Sequence, residues 1–568
     1  MKKFIKTQKL KIVIALTALV SITSYSFVDN YFEVSKNLDI FSSLYREVNM
    51  YYVDSVDPGK LMKKGIDEML STLDPYTNYI PESNIEDYRF MTTGQYGGIG
   101  AVIRAKGDFV IVSEPYEGFP ADKSGLRAGD IILEIDGKST KNKKTDEISR
   151  ALKGSPKTEV KLLIQREGIA KPFEKILVRE EIKVKPVPYF GMINNSIGYI
   201  KLNSFTENSG RDVADALKEL KSKNTLSGLV LDLRGNPGGL LNEAVNISNI
   251  FIPRGQEIVS TKGRYKDADR AYKAINEAVD TELPLAVMVN SGSASASEIV
   301  SGSLQDLDRA VVIGQRTFGK GLVQTTRPLS YNSQIKITTS KYYIPSGRCI
   351  QALDYTHRNE DGSVGKIPDS LVSEFKTSAG RKVYDGGGIN PDYSTPIKKL
   401  NPICNSLVNK SIIFDFASRY RTLHDSIPKG DFVLTDADWI EFLKYIADKE
   451  YDYITKSEKS LEEFKKNSED ELYYETLKSD IETLQSKLNH NKQEDIDKNK
   501  TDIVALLEDE IASRYGYQQG RIRESLTHDK EIMKAIDMLN DKATYTGILS
   551  GAINASAGEK NEGVKIKN

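Results

Sequence analysis

Apolar residues recur every three or four positions between residues 34 and 88, and this spacing predicts helices. Pro75 interrupts the pattern, because proline lacks the amide hydrogen that a helix interior requires. A helical N-terminal segment over residues 33–92 is therefore the first predicted part of the fold.

A different pattern begins at Gly94, where short strand-like runs are separated by glycine-rich turns. Strands are predicted at 101–103, 109–112 and 160–166, and a short helix at 146–152. Residues 94–183 are therefore predicted to form a small β-rich module.

Strands and helices alternate from residue 197 onward, and the strands are almost continuously apolar. The predicted strands are 198–202, 229–233, 285–289 and 310–314, and the predicted helices are 213–220, 242–250 and 296–304. Apolar strands that alternate with helices are typical of a parallel sheet buried on both faces. We predict an α/β core over 188–398, with 334–344 as an antiparallel edge strand.

The remaining part of the chain, residues 400–568, is predicted to be helical and charge-rich. Its stretch 456–500 mixes both charge signs and contains neither proline nor glycine. Two interpretations of this stretch stay open, a solvated helical arm and a dimer contact. Residues from Gly558 onward are predicted to be disordered.

The N-terminus has the pattern of an export signal. Five lysines precede an apolar run over residues 12–20, which continues with mixed residues to Val28. This run is shorter than the ~20 residues that span a membrane comfortably. We predict a signal peptide over 1–28, with an uncleaved anchor over 12–28 as the alternative. Either form predicts an exported, periplasmic or cell-envelope protein.

Composition excludes several functions. The net charge of −1, from 79 basic and 80 acidic residues, gives no global attraction for nucleic acid. Only four histidines and two cysteines occur, without a CxxC or HExxH motif, so neither a metal nor another cofactor is predicted. A disulfide between Cys349 and Cys404 and a pair of free thiols are equally open.

A serine-rich turn is the first candidate for chemistry. Residues 289–298 follow a predicted buried strand and open a predicted helix, whose first amides converge on one point and suit an oxyanion. A serine at a helix start is also an ordinary N-cap. Spacing alone leaves Ser291, Ser293, Ser295 and Ser297 as candidate nucleophiles.

A glycine-rich turn at 232–240 also joins a strand to a helix. Gly238 and Gly239 can direct backbone amides toward a developing negative charge. A tight turn without catalytic function explains the same glycines. A phosphate-binding loop is disfavoured, because the GxxxxGK[ST] motif does not occur.

The chain resembles the carboxyl-terminal processing, or tail-specific, serine proteases. The similarity spans residues 36–395, and the module over 94–183 resembles a PDZ domain. The matching blocks occur in the family's order at 73–75, 97–100, 231–239, 290–306, 314–324, 342–348 and 387–392. The expected fold is thus α/β and multidomain, with a helical N-terminal segment, a PDZ-like β module, an α/β Ser/Lys protease core and a helical C-terminal region.

The resemblance implies a function for individual residues in the core. Ser295 is expected to be the nucleophile, Lys320 the general base, and Gln324 the residue that orients the lysine. The expected oxyanion-hole amides belong to Gly238, Gly239 and Ala296. Asp306 is expected to give structural support, and Arg316 is interpreted as a structural charge.

A lysine base is chemically reasonable. The pKa of a free lysine lies near ~10.4, and burial in an apolar pocket lowers it by up to ~3–5 units. A neutral Lys320 is then able to take the Ser295 proton and return it to the leaving amine. Phe318, Leu322 and Val323 are the expected apolar neighbours.

The PDZ resemblance implies a route for substrate. A substrate tail adds a strand to a sheet edge, and a glycine-rich loop binds its terminal carboxylate. The expected binding residues are Gly97, Gly98, Ile99 and Gly100 in the loop and Ile148 and Leu152 in the groove. Arg166 is the candidate link between this module and the active site.

The predicted function is a serine endopeptidase that cleaves exported proteins near their C-termini through an acyl-enzyme. Its expected partners are C-terminal tails, a second copy of the chain, and an adaptor or activator protein. The alternatives are an exported PDZ scaffold without peptidase activity and a metal-dependent hydrolase, which the histidine and cysteine inventory disfavours.

Overall fold

The computed structural model describes residues 31–397, 399–428, 430–488 and 492–553. The predicted signal segment 1–28 and the predicted disordered tail from Gly558 lie outside the described residues. No helix in the described part of the chain is long and apolar enough to span a bilayer. The chain divides into two compact units, one of residues up to Ile80 with Thr326–Ile337, and one of all other residues.

The smaller unit contains the predicted N-terminal helices. Its elements before residue 81 are α1 (31–51), α2 (Pro58–Ser71) and β1 (Asn78–Ile80). Helix α2 begins at the N-cap Asp57, whose side chain accepts from the Lys60 amide, and Pro58 occupies the first helical position, where proline is tolerated. The helical prediction is confirmed, whereas β1, which pairs with residues 334–336, was not predicted.

The PDZ module begins after a short helix that ends at Gly94, a residue in the left-handed conformation. Its sheet has the order β3-β4-β5-β7-β8, with β6 beside β5, and β2 pairs separately with β9. In β7 the alternate residues Val160, Leu162 and Ile164 belong to the core of the module, because successive side chains of a strand point to opposite faces. The preceding helix is α3 (Ile85–Thr93), and the elements of the module are β2 (Gln95–Gly98), β3 (Ala101–Lys106), β4 (Phe109–Pro115), α4 (Pro120–Lys123), β5 (Ile131–Ile135), β6 (Lys138–Ser139), α5 (Thr145–Leu152), β7 (Glu159–Gln165), β8 (Phe173–Val178) and β9 (Glu180–Lys183).

The α/β core follows, and its main sheet has the order β10-β11-β12-β15-β16-β23. Strands β11 to β23 are parallel and β10 is antiparallel. Its elements are β10 (Tyr189–Met192), β11 (Ile197–Lys201), α6 (Ser209–Lys223), β12 (Gly228–Asp232), α7 (Leu241–Asn249), β13 (Glu257–Gly263), β14 (Arg270–Lys273), β15 (Leu285–Val289), α8 (Ala296–Asp306), β16 (Val311–Gly314), β17 (Leu322–Pro328), β18 (Gln334–Tyr343), β19 (Leu353–Arg358), β20 (Val364–Lys366), β21 (Glu374–Lys376), β22 (Lys382–Tyr384) and β23 (Tyr393–Ser394).

The predicted edge strand lies elsewhere. Residues 340–343 of β18 pair antiparallel with β13, so this run does not extend the parallel sheet as expected. The edge beside β16 is occupied by β23, through the pair Ile313 and Tyr393, and this pairing leaves no place for β18 there. The apolar prediction for the main strands is confirmed, since every residue of β12, β15 and β16 is buried.

The C-terminal region is helical, as predicted. Helices α9, α10, α11 and α15 share a core that includes Phe416, Trp439, Phe442 and Leu507. Helices α12 and α13 pack on each other, and most of their side chains are exposed. The helices are α9 (Pro402–Asn409), α10 (Ile412–Leu423), α11 (Asp436–Ile446), α12 (Lys456–Asp470), α13 (Tyr474–Leu488), α14 (Lys492–Lys498), α15 (Lys500–Ser525), α16 (Lys530–Asn540) and α17 (Lys542–Leu549).

The last two helices belong to the core of the main sheet. Ile532, Met538 and Leu539 of α16 pack in one apolar cluster with Val230 and Met288 of the central strands. Helices α6, α7 and α8 contribute to the cluster on the opposite face. The division between core and C-terminal region near residue 400 therefore does not separate two independent apolar cores.

Candidate active site

The four candidate serines lie in the turn between β15 and α8, and their surroundings differ. The hydroxyls of Ser293 and Ser297 donate to carbonyl oxygens of the chain after β12, and both side chains are fully buried. Ser291 is exposed, and Ser295 is half-buried at the N-cap of α8. The turn therefore leaves only Ser291 and Ser295 with accessible hydroxyls.

The backbone of Ser295 distinguishes it from Ser291. Its φ is 54° and its ψ is −111°, a region that residues with a side chain rarely occupy. Such a conformation costs about 1–3 kcal/mol and is concentrated at functional sites. A strand–turn–helix turn is also the setting in which nucleophilic serines of α/β hydrolases are held. This geometry favours Ser295.

Glu298 connects the two segments that carry the expected dyad. Its Oε2 accepts hydrogen bonds from the main-chain amides of Ser295, at 2.8 Å, and Lys320, at 2.9 Å. Its Oε1 accepts from the Gly319 amide at 2.7 Å and from the Thr317 hydroxyl at 2.5 Å. One carboxylate therefore fixes the main chain at both residue 295 and residue 320.

Glu298 was not among the predicted site residues. A signal was available, because an acidic residue three positions after a helix N-cap is the spacing of a capping box. Glu298 is fully buried, and burial raises the pKa of its carboxyl above the ordinary value, against the opposing effect of the hydrogen bonds that it accepts. A buried carboxylate with this many donors indicates a fixed structural centre of the site.

Lys320 lies in the loop after β16, between two glycines that permit close packing. A Cβ at Gly319, where φ is 87°, would lie 2.4 Å from the Cβ of Ala352. A Cβ at Gly321 would lie 2.8 Å from the Gln351 amide nitrogen. Both glycines are therefore required by the close approach of the neighbouring chain to the lysine loop.

The residues expected around Lys320 are arranged in part as predicted. Leu322 is buried and Val323 is half-buried, but Phe318 is 48% exposed and shields the loop less than expected. The Gln324 side-chain amide donates to the Thr338 hydroxyl at 3.0 Å, across β17 and β18. This contact fixes the side chain of Gln324, whose orientation of the lysine stays a prediction.

The glycine-rich turn after β12 lies directly against the start of α8. A Cβ at Gly238, where φ is 99°, would lie 2.7 Å from the Ala294 carbonyl oxygen and 2.9 Å from the Ala296 nitrogen. The Gly238 amide donates to the Asn236 side chain at 2.9 Å. The expected oxyanion-hole residues Gly238 and Ala296 therefore lie together, and Gly239 follows in the same turn. To bind an oxyanion, the Gly238 amide must release its hydrogen bond to Asn236.

Two ion-pair networks support this part of the sheet. Asp306, at the end of α8, forms a fully buried pair with Arg348 at 2.8 Å and accepts from the Ser346 amide at 3.0 Å. Asp232, at the end of β12, contacts Lys201 at 3.2 Å and Arg234 at 2.8 Å. Burial alone would raise the pKa of Asp232, but the two cations outweigh it and hold that pKa well below its usual range.

The glycines of the expected PDZ carboxylate loop lie at the edge of their module. Gly97 and Gly98 belong to β2 and pair with Glu181 and Glu180 of β9. A Cβ at Gly97 would lie 2.2 Å from the carbonyl oxygen of Gly154, which follows α5. The structure therefore brings this loop close to the end of the helix that was expected to line the groove.

The apolar residues expected to bind a tail are buried. Ile99, Ile148 and Leu152 are each at most 5% exposed and belong to one apolar cluster of the PDZ module. The structure thus brings the three side chains together in the core of the module. Their contact with a tail stays a prediction.

Arg166 is bound within the PDZ module. Its guanidinium makes two hydrogen bonds of 2.7 Å to the Asp130 carboxylate and one of 2.7 Å to the Gly125 carbonyl oxygen. It also lies over the ring of Phe173. These contacts fix Arg166 to its own module, and its link to the active site stays a prediction.

Cys349 and Cys404 are not joined by a disulfide. In residues 31–397, 399–428, 430–488 and 492–553 no group of three or more histidine, cysteine or acidic side chains is arranged to hold a metal ion.

Comparisons with known families agree with this architecture. The model of peptidase family S41 matches residues 196–357, and a PDZ domain model matches residues 111–166. A third model, described as the C-terminal helical domain of a probable PDZ-protease, matches residues 403–539.

Curated relatives match more than half of this chain. A carboxy-terminal-processing protease of Bartonella bacilliformis is 40% identical over 324 residues, 56% of this chain and 74% of the relative. A probable CtpA-like serine protease of Staphylococcus aureus is 37% identical over 347 residues, 59% of this chain and 68% of the relative. The solved structure of a photosystem II D1 C-terminal processing protease is 28% identical and covers 62% of this chain and 92% of its own, with a TM-score of 0.35. The chain therefore belongs to the carboxy-terminal-processing proteases of peptidase family S41, a group of serine-type peptidases, and carries a PDZ domain.

Proposed function

We propose that the protein cleaves exported proteins near their C-termini through a Ser295–Lys320 dyad. One observation supports the proposal above all others. The main-chain amides of Ser295 and Lys320 both donate hydrogen bonds to the same carboxylate oxygen of Glu298. Because each amide lies within hydrogen-bond distance of that oxygen, the two nitrogens are less than about 6 Å apart. Side chains that leave the main chain so close together are able to meet at one substrate bond.

The proposed reaction proceeds through an acyl-enzyme. Neutral Lys320 accepts the proton of the Ser295 hydroxyl as the oxygen attacks the scissile carbonyl carbon. The amides of Ala296 and of a glycine at 238 or 239 bind the resulting oxyanion. Lys320 then gives its proton to the leaving amine, and a water molecule hydrolyses the ester by the same proton transfers.

We further propose that the PDZ domain selects substrates by their C-terminal tails. Strand β3 lies at an edge of the PDZ sheet, where one side has no strand partner in the sheet order. An extended tail is able to add to that edge, with its carboxylate at residues 97–100. Ile148 and Leu152 of α5 would then contact the last side chains of the tail.

The same domain is proposed to regulate cleavage. Two contacts join it to helix α15: the Tyr517 hydroxyl donates to Asp122 at 2.5 Å, and Arg521 pairs with Glu114 at 2.9 Å. Tyr517 has φ 51° and ψ −149° within α15, so the helix is interrupted at this contact. A bound tail that shifts the PDZ domain would disturb these two contacts with α15. Arg166 would take part through its hydrogen bonds to Asp130.

A homodimer is the proposed assembly. Helix α1 exposes apolar side chains along its length, among them Tyr31 at 77%, Phe32 at 64% and Leu38 at 63%. Exposed apolar side chains concentrated on one helix are a feature of interaction sites. A second copy of the chain would cover the same surface on both subunits. An adaptor or activator protein is a further proposed partner.

The proposed location is the periplasm or cell envelope. The support is the sequence pattern of residues 1–28, a basic stretch followed by an apolar run. Whether that segment is cleaved or retained as an anchor is decided by the N-terminal sequence of the protein isolated from cells.

The decisive experiment compares C-termini across the exported proteome of cells with the wild-type protein and with Ser295→Ala. Ser291→Ala is the matched control, because it removes an exposed hydroxyl from the same turn. We expect unprocessed C-termini to accumulate only in Ser295→Ala, with tail binding retained by the purified variant. Identical C-termini in all three strains would contradict the proposal, and unaltered cellular function of Ser295→Ala would favour a PDZ scaffold.

A further inference from the structure

Glu531, in the first turn of helix α16, binds three loops of the protease core. Its Oε2 accepts from the Arg234 guanidinium at 2.6 Å. Its Oε1 accepts from the Thr395 hydroxyl at 2.6 Å and from the side-chain amide of Gln315. The partners follow β12, β16 and β23, so a single carboxylate of the C-terminal region joins the carboxyl ends of three parallel strands.

Two of these loops carry the proposed catalytic groups. Arg234 begins the turn that contains Gly238, and Gln315 begins the loop that contains Lys320. The carboxyl ends of parallel strands are where active sites of α/β proteins form. Glu531 thus connects the turn that contains Gly238, here called the oxyanion turn, to the loop that contains Lys320, the lysine loop. Glu298 in turn fixes the lysine loop to Ser295.

Arg234 transmits this connection to the sheet. Its guanidinium binds Asp232 through more than one nitrogen and also contacts Asp529, the N-cap of α16, at 2.9 Å. The Arg234 carbonyl oxygen accepts from Lys201 at 2.7 Å. A planar guanidinium held by three carboxylates has one defined orientation, which fixes the direction in which the turn leaves β12.

The attachment of α16 to the sheet rests mainly on its apolar face. Ile532, Ala535, Met538 and Leu539 are at most 6% exposed and form the apolar face of the helix. Burial of that face supplies the main stabilisation of the contact. The Glu531 side chain, at 19% exposure, instead directs both oxygens to the loops of the site. The charge and geometry of the Glu531 carboxylate therefore position the three loops more than they dock the helix.

We propose that Glu531 is a positioning residue of the active site, and that the C-terminal helical region thereby completes the catalytic machinery. The carboxylate sets the relative position of the Gly238 turn and the Lys320 loop. This inference rests on the proposed Ser295–Lys320 function in its kinetic consequences, but the ordering of the two loops is independent of it.

The kinetic test compares full-length Glu531→Gln and Glu531→Ala with the wild type on a peptide that bears a C-terminal tail. Asp537→Asn is the matched control, since Asp537 lies on the same helix, is 68% exposed and faces Lys534. We expect kcat to fall at least tenfold in Glu531→Gln and further in Glu531→Ala, with KM changed less than twofold, because the tail-binding residues are untouched. Unchanged kcat in both variants, or an equal loss in Asp537→Asn, would overturn the inference.

A second measurement needs no substrate. Hydrogen exchange of the amides at 235–239 and 316–321 is expected to be at least tenfold faster in Glu531→Gln than in Asp537→Asn, while exchange in β12 and β15 is unchanged. Equal exchange in the two variants would refute the positioning function even if kcat falls. Faster exchange in an enzyme that cleaves no tailed peptide would refute the proposed function and leave the positioning intact.

Discussion

The carboxylate of Glu298 lies 2.8 Å from the main-chain nitrogen of Ser295, three residues before it in the sequence. This bond stabilises a positive φ at Ser295, which the residue would not adopt readily alone. The remaining bonds of the carboxylate reach across to residues 317–320. The turn that contains Ser295 and the loop that contains Lys320 are thus fixed by the same buried carboxylate.

Replacing Glu298 by Gln tests this arrangement. Glutamine keeps the shape, but its NH₂ group faces amide donors that need an acceptor, so at least two of the four bonds are lost. We expect kcat to fall by about 10²-fold and the free energy of unfolding by about 1–3 kcal/mol, the cost of unsatisfied buried groups. Steady-state kinetics and urea unfolding measure the two effects, and wild-type kcat in the variant would contradict the arrangement.

The pH dependence of stability gives a separate test of Glu298. Its pKa in the folded protein is raised above the ordinary value of 4.5, so the folded state binds the proton more tightly than the unfolded state. The contribution of Glu298 to stability therefore falls as pH rises from 4.5 through the folded pKa. We expect the difference in unfolding free energy, wild type minus Glu298→Gln, to decrease over that range. A difference that increases with pH would contradict the shift, and Glu219→Gln, at an exposed site, serves as the control.

The pattern of the chain indicated the two turns of this site, left four serines open as the nucleophile, and gave no function to Glu298 or Glu531. Ser295 and Gly238 follow apolar strands in turns of small residues, a pattern visible in the chain itself. Glu531 contacts residues that lie 136 to 297 positions away, and no periodicity of α16 indicates which loops its first turn will meet. Long-range contacts of this kind depend on how the layers dock, which the amphipathic pattern alone does not define.

The same limit applies to the docking of two parts of the fold. Residues 334–344 were predicted as an antiparallel edge strand of the core; they are antiparallel but lie in another sheet, because a strand pattern does not state which sheet the strand joins. The region after residue 400 is helical as predicted, but its sequence did not indicate that α16 and α17 cover one face of the main sheet. An apolar helix face predicts burial and leaves the partner undefined.

Gly238→Ala tests the approach of the oxyanion turn to α8. The new Cβ would lie 2.7 Å from the Ala294 oxygen and 2.9 Å from the Ala296 nitrogen, so the turn must move away from Ser295. Loss of one oxyanion donor lowers kcat by about 10²–10³-fold, and we expect this loss with little change in KM. Gly235→Ala is the control, since φ is 71° there but no atom lies within 4 Å of its Cβ. Equal losses in both variants would attribute the effect to backbone strain alone.

Lys320→Arg tests the proposed base while keeping a long basic side chain at the position. Arginine is not deprotonated in proteins, so it is unable to accept the Ser295 proton at any accessible pH. We expect kcat/KM to fall by about 10²–10⁴-fold, the usual contribution of a general base, and the acidic limb of the pH profile to disappear. Lys341→Arg, at an exposed position on β18, controls for the substitution itself. Retention of the acidic limb in Lys320→Arg would assign the base to another residue.

Tyr517→Phe tests whether the junction between the PDZ domain and α15 restrains the enzyme. The variant loses the hydrogen bond to Asp122 but keeps the ring, and Asp122→Asn weakens the same bond from the other side. If this bond holds the resting state, each variant raises the cleavage rate of a peptide without a free tail several-fold. Since both changes remove one interaction, the double variant is expected to equal the single ones, as a double-mutant cycle would report. Additive increases in the double variant, or resting cleavage rates equal to the wild type, would contradict a restraint at this contact. A cleavage rate raised equally in all three variants would assign the restraint to the bond between residues 122 and 517.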